Sequence, residues 1–383
     1  MRLDAEWLGS AHLRAVMDAL QGEAYFVGGC VRNTLLGQPV ADIDITTPIE
    51  PGEVTRLLEA AGLKAVPTGI EHGTVTAVSG GEGYEITTFR ADVTTDGRRA
   101  TVRFSTVIDE DAARRDFTMN AIYADAAGEI IDPLGGLPDI LARRVRFIGE
   151  PRDRIREDYL RILRFFRFTA WYSGDGIEAE GLAACAELAD GIDGLARERV
   201  GAEMKKLLSA PDPAPSVAAM AASGVLMRCL TGASPALLAP LVHLEGEAGV
   251  GADWMTRLAA LGGEEPETAL RLSRNEAKRL ADIRALLARP VTVAVAAHRN
   301  GAQAAQAMAL LRAASGDTSG LANLTGEIAR GIAAKFPLHA AHLVAAGMQP
   351  GPALGIALEA ARRQWLDSDF SLDRTALLDN ALD

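Results

Sequence analysis

The residues with the clearest chemical potential are Val27-Gly28-Gly29-Cys30-Val31-Arg32-Asn33 and, shortly after, Asp42-Ile43-Asp44. Tyr25 to Val27 reads as a short buried strand, Gly28-Gly29 as a turn, and Val31 to Leu36 as the start of a helix. Backbone N–H groups and Arg32 then face whatever sits over the turn, which is the make-up of a phosphate cradle. Val40 to Ile45 reads as a second strand, and because side chains alternate along a strand, Asp42 and Asp44 share one face. Two carboxylates roughly 5–7 Å apart repel each other, and a divalent cation between them is the usual reason such a pair is tolerated. A Gly-Gly turn or an Asp-x-Asp alone is ordinary; together they point to metal-assisted chemistry on a phosphate.

Three further constellations carry chemistry. Arg114-Arg115-Asp116-Phe117-Thr118-Met119-Asn120-Ala121 places two arginines before an apolar segment, where they can clamp a triphosphate while Asp116 and Asn120 bond a ribose hydroxyl. An ordinary turn with solvated arginines fits the same residues. Glu85, inside Tyr84-Glu85-Ile86-Thr87-Thr88-Phe89-Arg90, is a candidate third acid if buried, or a solvent-facing Glu of an edge strand. His12 and His72 are assigned no role. From Tyr159 to Phe168 every residue is bulky and apolar except Arg161, Arg164 and Arg167, so this helix is expected to be mostly buried with one narrow polar stripe. Asp158 and Arg161 on that stripe offer an acceptor beside a donor. The Watson–Crick edges of cytosine and adenine present an amino donor beside a ring-nitrogen acceptor, whereas uracil and guanine present the opposite polarity. The pair can therefore accept C and A; a structural i,i+3 ion pair is the alternative.

These residues need a scaffold. Up to residue 148, strand candidates at Ala24–Val27, Val40–Ile45, Thr74–Val78, Tyr84–Thr88, Phe117–Ala124 and Val145–Ile148 alternate with helices at Val31–Leu36 and Pro51–Ala61, predicting an α/β domain with a mixed sheet. Beyond Arg152 the pattern is helical to the end, with breaks at Pro211–Pro215, Gly262–Pro266, Pro290, Gly316–Gly320 and Met348–Pro352. The expected division is 1–148, 149–262 and 263–383.

With 383 residues, 48% of them apolar, the chain can bury large cores. No apolar run reaches the length of a membrane span and the first residues lack a signal pattern, so a cytoplasmic protein is expected. Cys30, Cys185 and Cys229 are widely spaced and odd in number, which argues against a disulfide framework or a zinc site. The net charge of −12 repels polyanions, so any nucleic-acid contact has to be local. Arg143 to Arg167 carries nine arginines against four acids and marks the polyanion side.

At this point the chain resembles the class II CCA-adding tRNA nucleotidyltransferases and the related bacterial poly(A) polymerases, of the polymerase-β-like superfamily. The resemblance rests on Gly28-Gly29-x-Val31-Arg32, Asp42-x-Asp44, Glu85-x-Thr87-Thr88-x-Arg90, Arg114-Arg115-Asp116-Phe117-Thr118-x-Asn120-Ala121, Asp132-Pro133-x-Gly135-Gly136-x-x-Asp139 and Glu157-Asp158-x-x-Arg161-x-x-Arg164-x-x-Arg167-Phe168, in the family's order. Arg197-Glu198-Arg199-Val200-x-x-Glu203 looks like the family's later helical motif, and the last 120 residues match only loosely. It implies a catalytic head at 1–148, a helical neck and body that select the nucleobase, and a helical tail that binds tRNA. It also implies Mg²⁺ held by Asp42 and Asp44, the triphosphate held by Gly29 and Arg32, the sugar-phosphate by Arg115 and Asp116, and base selection by Asp158 and Arg161 with Arg164 and Arg167 in support. Asn33 departs from the family's usual Asp and puts a supporting hydrogen bond in doubt.

The expected activity is addition of CCA to tRNA 3′ ends from CTP and ATP. Poly(A) addition, or only part of CCA synthesis, is the nearest rival; an Arg-rich tail would favour the former, and here Arg374 is the only basic residue after Arg363. A binding module without catalysis is a third class, but it has no need of paired carboxylates. How many nucleotides are added would depend on how a flexible Arg90–Ser105 segment and the head re-aim the base-reading pair. Oligomeric state is not encoded in any motif.

Overall fold

The computed structural model describes residues 1–96, 99–174 and 176–382, which divide into two compact units, Met1–Cys229 and Leu230–Asp383. The first unit is built on a seven-stranded mixed sheet of order β3-β4-β5-β2-β1-β8-β9. Its strands are β1 (Tyr25–Val27), β2 (Asp44–Thr47), β3 (Lys64–Gly69), β4 (Thr74–Ser79), β5 (Glu82–Thr88), β8 (Tyr123–Ala124) and β9 (Ile130–Ile131). β6 (Arg90–Asp96) and β7 (Arg99–Phe104) form a separate two-stranded hairpin. The hairpin occupies the segment expected to be flexible, of which residues 97 and 98 lie outside the described residues. One pairing matters most: β2 and β5 run parallel, with Asp44 opposite Glu85.

Helices α1 (Ala11–Ala19), α2 (Gly29–Leu35), α3 (Pro51–Ala60), α4 (Ile108–Ala113) and α5 (Leu137–Leu141) accompany the sheet. α6 (Pro151–Glu157), α7 (Leu160–Tyr172), α8 (Ala179–Glu187), α9 (Arg197–Leu208), α10 (Ala214–Ala222) and α11 (Val225–Cys229) follow. α7 carries ten of its thirteen positions as bulky or apolar side chains because it is packed from several sides. Phe165 and Phe168 meet Phe117, Phe147 stacks on Phe165 at 5.4 Å, and Arg167 reaches toward α9.

Several expected elements differ. Phe117–Ala124 is not one strand: Thr118–Asn120 is a 3₁₀ turn, because the Asp116 carboxylate accepts from Phe117 N at 2.9 Å and from Asn120 Nδ2 at 2.9 Å, which curls the chain back on itself. Val145–Ile148 consequently lacks a strand partner. It makes a single bridge, Phe117 to Phe147, flanked by bonds from Thr118 N to Arg146 O and Ile148 N to Asp116 O. β2 begins only at Asp44, so Asp42 precedes the strand.

The second unit is helical: α12 (Leu238–Glu247), α13 (Trp254–Leu261), α14 (Pro266–Ala269), α15 (Arg274–Leu287), α16 (Val293–Asn300), α17 (Ala302–Ala314), α18 (Leu324–Ala333), α19 (Ala340–Ala345), α20 (Pro352–Asp367) and α21 (Arg374–Leu382). The alanines of α17 permit close packing, and Ala305, Met308 and Ala309 join Ala296, Ala297 and Leu286 in one core. Among the described residues no helix is long and apolar enough to cross a membrane. The three cysteines are free and buried.

Candidate active site

β1 ends at Val27 and α2 starts two residues later. Gly28 makes the turn with φ of 71°, a left-handed conformation that favours glycine, and a Cβ there would lie 3.5 Å from Arg115 Nη1. The turn throws Arg32 inward, where it is only 6% exposed. Its guanidinium donates to Asn33 Oδ1 from Nε at 3.1 Å and from Nη2 at 2.9 Å, to the Tyr172 hydroxyl at 2.8 Å, and to Asn120 Oδ1. It also lies over the Tyr172 ring at 4.0 Å and the Phe168 ring at 5.1 Å. Burial pulls its pKa below the ordinary arginine value. Asn33 thus supplies the acceptor that the departure from Asp had put in doubt.

Asp116 and Asn120 do not stand free for a ribose. Asp116 Oδ2 accepts from Arg164 Nε at 2.6 Å, its Oδ1 accepts from Asn120 Nδ2, and Asn120 Oδ1 in turn takes Arg32. The result is one buried chain, Arg32–Asn120–Asp116–Arg164. Burial by itself would raise the Asp116 carboxyl, but the Arg164 charge and the donors of Asn120 and Phe117 overcome it and hold the carboxyl below its usual range. Arg115 is fastened separately, to Asp111 at 3.0 Å and the Tyr123 hydroxyl at 3.2 Å. Burial opposes its charge, and Tyr123 and Asp111 more than compensate, raising its pKa.

Asp158 is not on the helical stripe. The chain is extended at Asp158, between α6 and α7, because its Oδ1 accepts from Leu160 N at 3.1 Å in the manner of a helix cap. Its Oδ2 accepts from Arg199 of α9 at 2.6 Å. Arg161 donates to Glu157 and to the backbone oxygens of Arg154 and Arg114. Asp158 and Arg161 are therefore neighbours that each hold another partner. Arg167 points elsewhere: it pairs with buried Glu203 at 2.6 Å and lies 4.5 Å from the Phe168 ring centre.

Asp44 and Glu85 face the same side of the sheet from adjacent strands, both open to solvent. Glu85 is therefore not the buried carboxylate that a cation would have to compensate, because β5 turns Tyr84 and Ile86 inward and leaves Glu85 outside. The Asp44 carboxyl is raised, first by partial desolvation, then by the Glu85 charge and also by Asp42, while Arg115 and Arg32 pull it down. Three acids thus act on one point although Asp42 precedes the strand. Among the described residues no three His, Cys, Asp or Glu side chains are gathered tightly enough to enclose a metal. The donor set nonetheless fits a magnesium-like ion, which takes one or two carboxylates and completes its shell with water and phosphate oxygens.

A cavity of about 340 Å³ gathers Gly28, Gly29, Arg32, Asp44, Arg115, Asp116, Asn120, Asp158, Arg161, Arg164 and Phe168. Asp42, Glu85 and Arg167 do not line it. A larger void, about 710 Å³, lies in the second unit and includes none of the predicted residues; its Arg312 donates to the backbone oxygens of Val291 and Leu286.

Sequence reasoning gave the supporting residues no role, although Arg199, Glu203, Asp132 and Asp139 lie within its motifs. Asp111 sits four residues before Arg115 on α4, a spacing that signals a helical ion pair. Arg199 and Glu203 are one turn apart on α9 and fasten Asp158 and Arg167. Tyr172, one turn beyond Phe168, gave no signal. The Asp132-to-Asp139 motif is structural: Asp132 caps α5 through Gly136 N and Leu137 N, and Asp139 holds Thr118 Oγ1 at 2.7 Å and Arg146 at 2.9 Å. Gly136 leaves room for Thr118 O, which a Cβ would meet at 2.3 Å. The arginine-rich segment is also less basic than its count. Arg144, Arg146, Arg152, Arg154, Arg156, Arg161, Arg164 and Arg167 all contact carboxylates.

Residues 24–146 match the family described as "Poly A polymerase head domain", and residues 176–237 match "Probable RNA and SrmB- binding site of polymerase A". The CCA-adding enzyme of Streptococcus gordonii is 40% identical over 271 residues, 68% of this chain and 66% of that protein. The human mitochondrial CCA tRNA nucleotidyltransferase 1 is 43% identical over 190 residues, 49% of this chain and 44% of that protein. The aligned sequence thus spans less than two thirds of the curated relatives' own length. Among solved structures, the Bacillus stearothermophilus CCA-adding enzyme in complex with CTP superposes with a TM-score of 0.73 at 27% identity, covering 97% of this chain and 96% of that one. The Thermotoga maritima CCA-adding enzyme complexed with tRNA gives 0.71 at 22% identity, a likeness of fold alone. With residues of several motifs lining one cavity and these relatives by sequence and by fold, the chain belongs to the family of CCA-adding enzymes and poly(A) polymerases.

Proposed function

We propose that this protein adds CCA to the 3′ ends of tRNA, using CTP and ATP and releasing pyrophosphate. The observation that carries the reading is that one cavity brings together a glycine turn, a buried arginine, Asp44 and the Asp158/Arg161 pair, so phosphate-holding, reacting and base-selecting groups share a single nucleotide-sized space. The 3′-hydroxyl of the tRNA attacks the α-phosphate in line and the bond to the leaving pyrophosphate breaks. Mg²⁺ held by Asp42 and Asp44, with Glu85 adding negative field, would favour the alkoxide and offset the charge on the leaving group.

The chain's own residues do the rest. Gly28 and Gly29 let the triphosphate approach the backbone, and Arg32 and Arg115 fix its oxygens. Asn120, Asp116 and Arg164 tie the floor of that site to α7. Asp158 keeps acceptor capacity and Arg161 donor capacity, which match cytosine and adenine and oppose uracil and guanine. Arg167 supports α7 through Glu203. Within this reading 1–148 is the catalytic head, 149–262 the neck and body, and 263–383 a tail that contacts tRNA, and the enzyme works in the cytoplasm.

Poly(A) addition is kept as the second reading because the matching family descriptions name that polymerase. The deciding experiment incubates the protein with Mg²⁺, a tRNA lacking its last three nucleotides, and each NTP singly and in pairs, with products resolved at single-nucleotide length. Growth by C, C and A that stops there supports CCA addition. A long A ladder establishes the polymerase, a stop after two C a partial enzyme, and no extension a binding module.

A further inference from the structure

We propose that Asn33 and Tyr172 are positioning residues that keep the charge of Arg32 available to an incoming triphosphate, and that Asn33 thereby sets nucleotide affinity; this deepens the nucleotidyl-transfer reading and rests on it. The cavity holds four arginines, and three are neutralised by carboxylates: Arg115 by Asp111, Arg164 by Asp116 and Arg161 by Glu157. Arg32 is the most buried of the four, yet all its acceptors are neutral, namely the amide oxygens of Asn33 and Asn120 and the Tyr172 hydroxyl. Arg32 feels the fields of Asp116 and Asp44 but makes no direct ion pair among the described residues, and a buried cation fixed in this way is a seat for an anion that arrives from outside.

The chemistry of Asn33 is specific to an amide. Its Oδ1 accepts twice from Arg32 while its Nδ2 donates to Pro39 O at 2.8 Å, which also fixes which way the amide faces. A carboxylate could take the first role but would set a second acceptor against the Pro39 carbonyl, and it would match the Arg32 charge before substrate arrives. Tyr172 contributes the second neutral acceptor and a ring face that desolvates the guanidinium without neutralising it.

The test measures direct binding of CTP and ATP to the full chain, competition by inorganic tripolyphosphate, and KM and kcat for each nucleotide. Asn33→Asp is expected to weaken CTP and ATP together by about tenfold and to lose tripolyphosphate competition, with kcat and the KM for tRNA little changed. Asn33→Ala and Tyr172→Phe loosen Arg32 without neutralising it, and each is expected to cost about two- to threefold. Equal losses for Asn33→Asp and Asn33→Ala overturn the proposal, as does unaltered CTP binding in Asn33→Asp. If Asn33→Asp does not fold, unaltered CTP affinity in Tyr172→Phe overturns it instead. Wild-type protein that binds CTP but extends no tRNA refutes the CCA reading while leaving this affinity order legible. Wild-type protein that binds neither nucleotide removes both.

Discussion

The two ends of the cavity are held by different physics. At the end proposed to hold the phosphates, buried Arg32 is fixed by neutral acceptors and aromatic faces, so its geometry is set without a direct ion pair. At the end proposed to read the base, Asp158 and Arg161 are each held by an ion pair, Asp158 by a half-exposed one to Arg199 and Arg161 by a largely buried one to Glu157. The first arrangement suits a ligand whose chemistry never varies, since every NTP brings the same triphosphate. The second suits a ligand that does vary, because the half-exposed Asp158–Arg199 pair can exchange partners at little cost. On the proposed function, the arginine without a direct ion pair lies where the substrate is constant, and ion-paired groups lie where it is chosen.

The largest way to break this comparison is to remove the reacting end altogether. Asp44→Ala should lower nucleotide transfer by about a thousandfold or more while CTP still binds, measured as primer extension beside a binding titration. Residual extension near the wild-type rate would remove Asp44 from the chemistry.

Asp116→Asn cuts the chain that ties Arg32 through Asn120 to Arg164 of α7. The Asp116 carboxyl lies below its unfolded value, so its contribution is present above the ordinary carboxylate range near pH 4 and is lost as pH falls through its folded pKa. The variant should therefore be less stable by about 3 kcal/mol at pH 7, with the gap closing toward acid, as read by denaturant melts across pH. A gap independent of pH would mean that shape rather than charge holds the chain together.

Arg161→Ala should leave CTP and ATP as substrates but reduce discrimination against UTP and GTP by about ten- to a hundredfold, seen in kcat/KM ratios for single-nucleotide addition. Loss of all four nucleotides to an equal degree would place Arg161 at the phosphate instead. The smallest effect belongs to Arg199→Ala, which removes an exposed partner of Asp158. Stability should fall by about 0.5 kcal/mol or less, with a modest loss of selectivity as Asp158 loses its aim.

Much of this was legible in the chain. Gly28, Arg32 and Asp44 are close in sequence, and the turn, helix and strand that carry them follow from local residue types, so their convergence needs no distant partner to be foreseen. Arg161 and Arg164 were visible because an apolar helix interrupted at three-residue intervals leaves one polar stripe. The errors fell where side chains override backbone preference. Asp116 curls Phe117–Asn120 into a 3₁₀ turn in a segment rich in strand formers, and Asp158 stops a helix that its neighbours would continue. Glu85 could be placed on a strand, but whether that strand's face was covered was not written in its neighbours.

By itself the sequence determined which groups were present, an α/β half followed by a helical half, and the order of the motifs, because those depend on side-chain chemistry and short-range periodicity. Local spacing could suggest the Arg115–Asp111 and Arg161–Glu157 pairs, but tertiary structure alone decided the partners of Arg32 and Arg164. Arg32 and Arg164 look alike in the chain, but besides its neighbour Asn33 one meets Asn120 and the Tyr172 hydroxyl while the other meets Asp116, and these partners come from 48 to 140 residues away. Such pairings depend on how the sheet's loops meet α7, and no local pattern encodes that meeting.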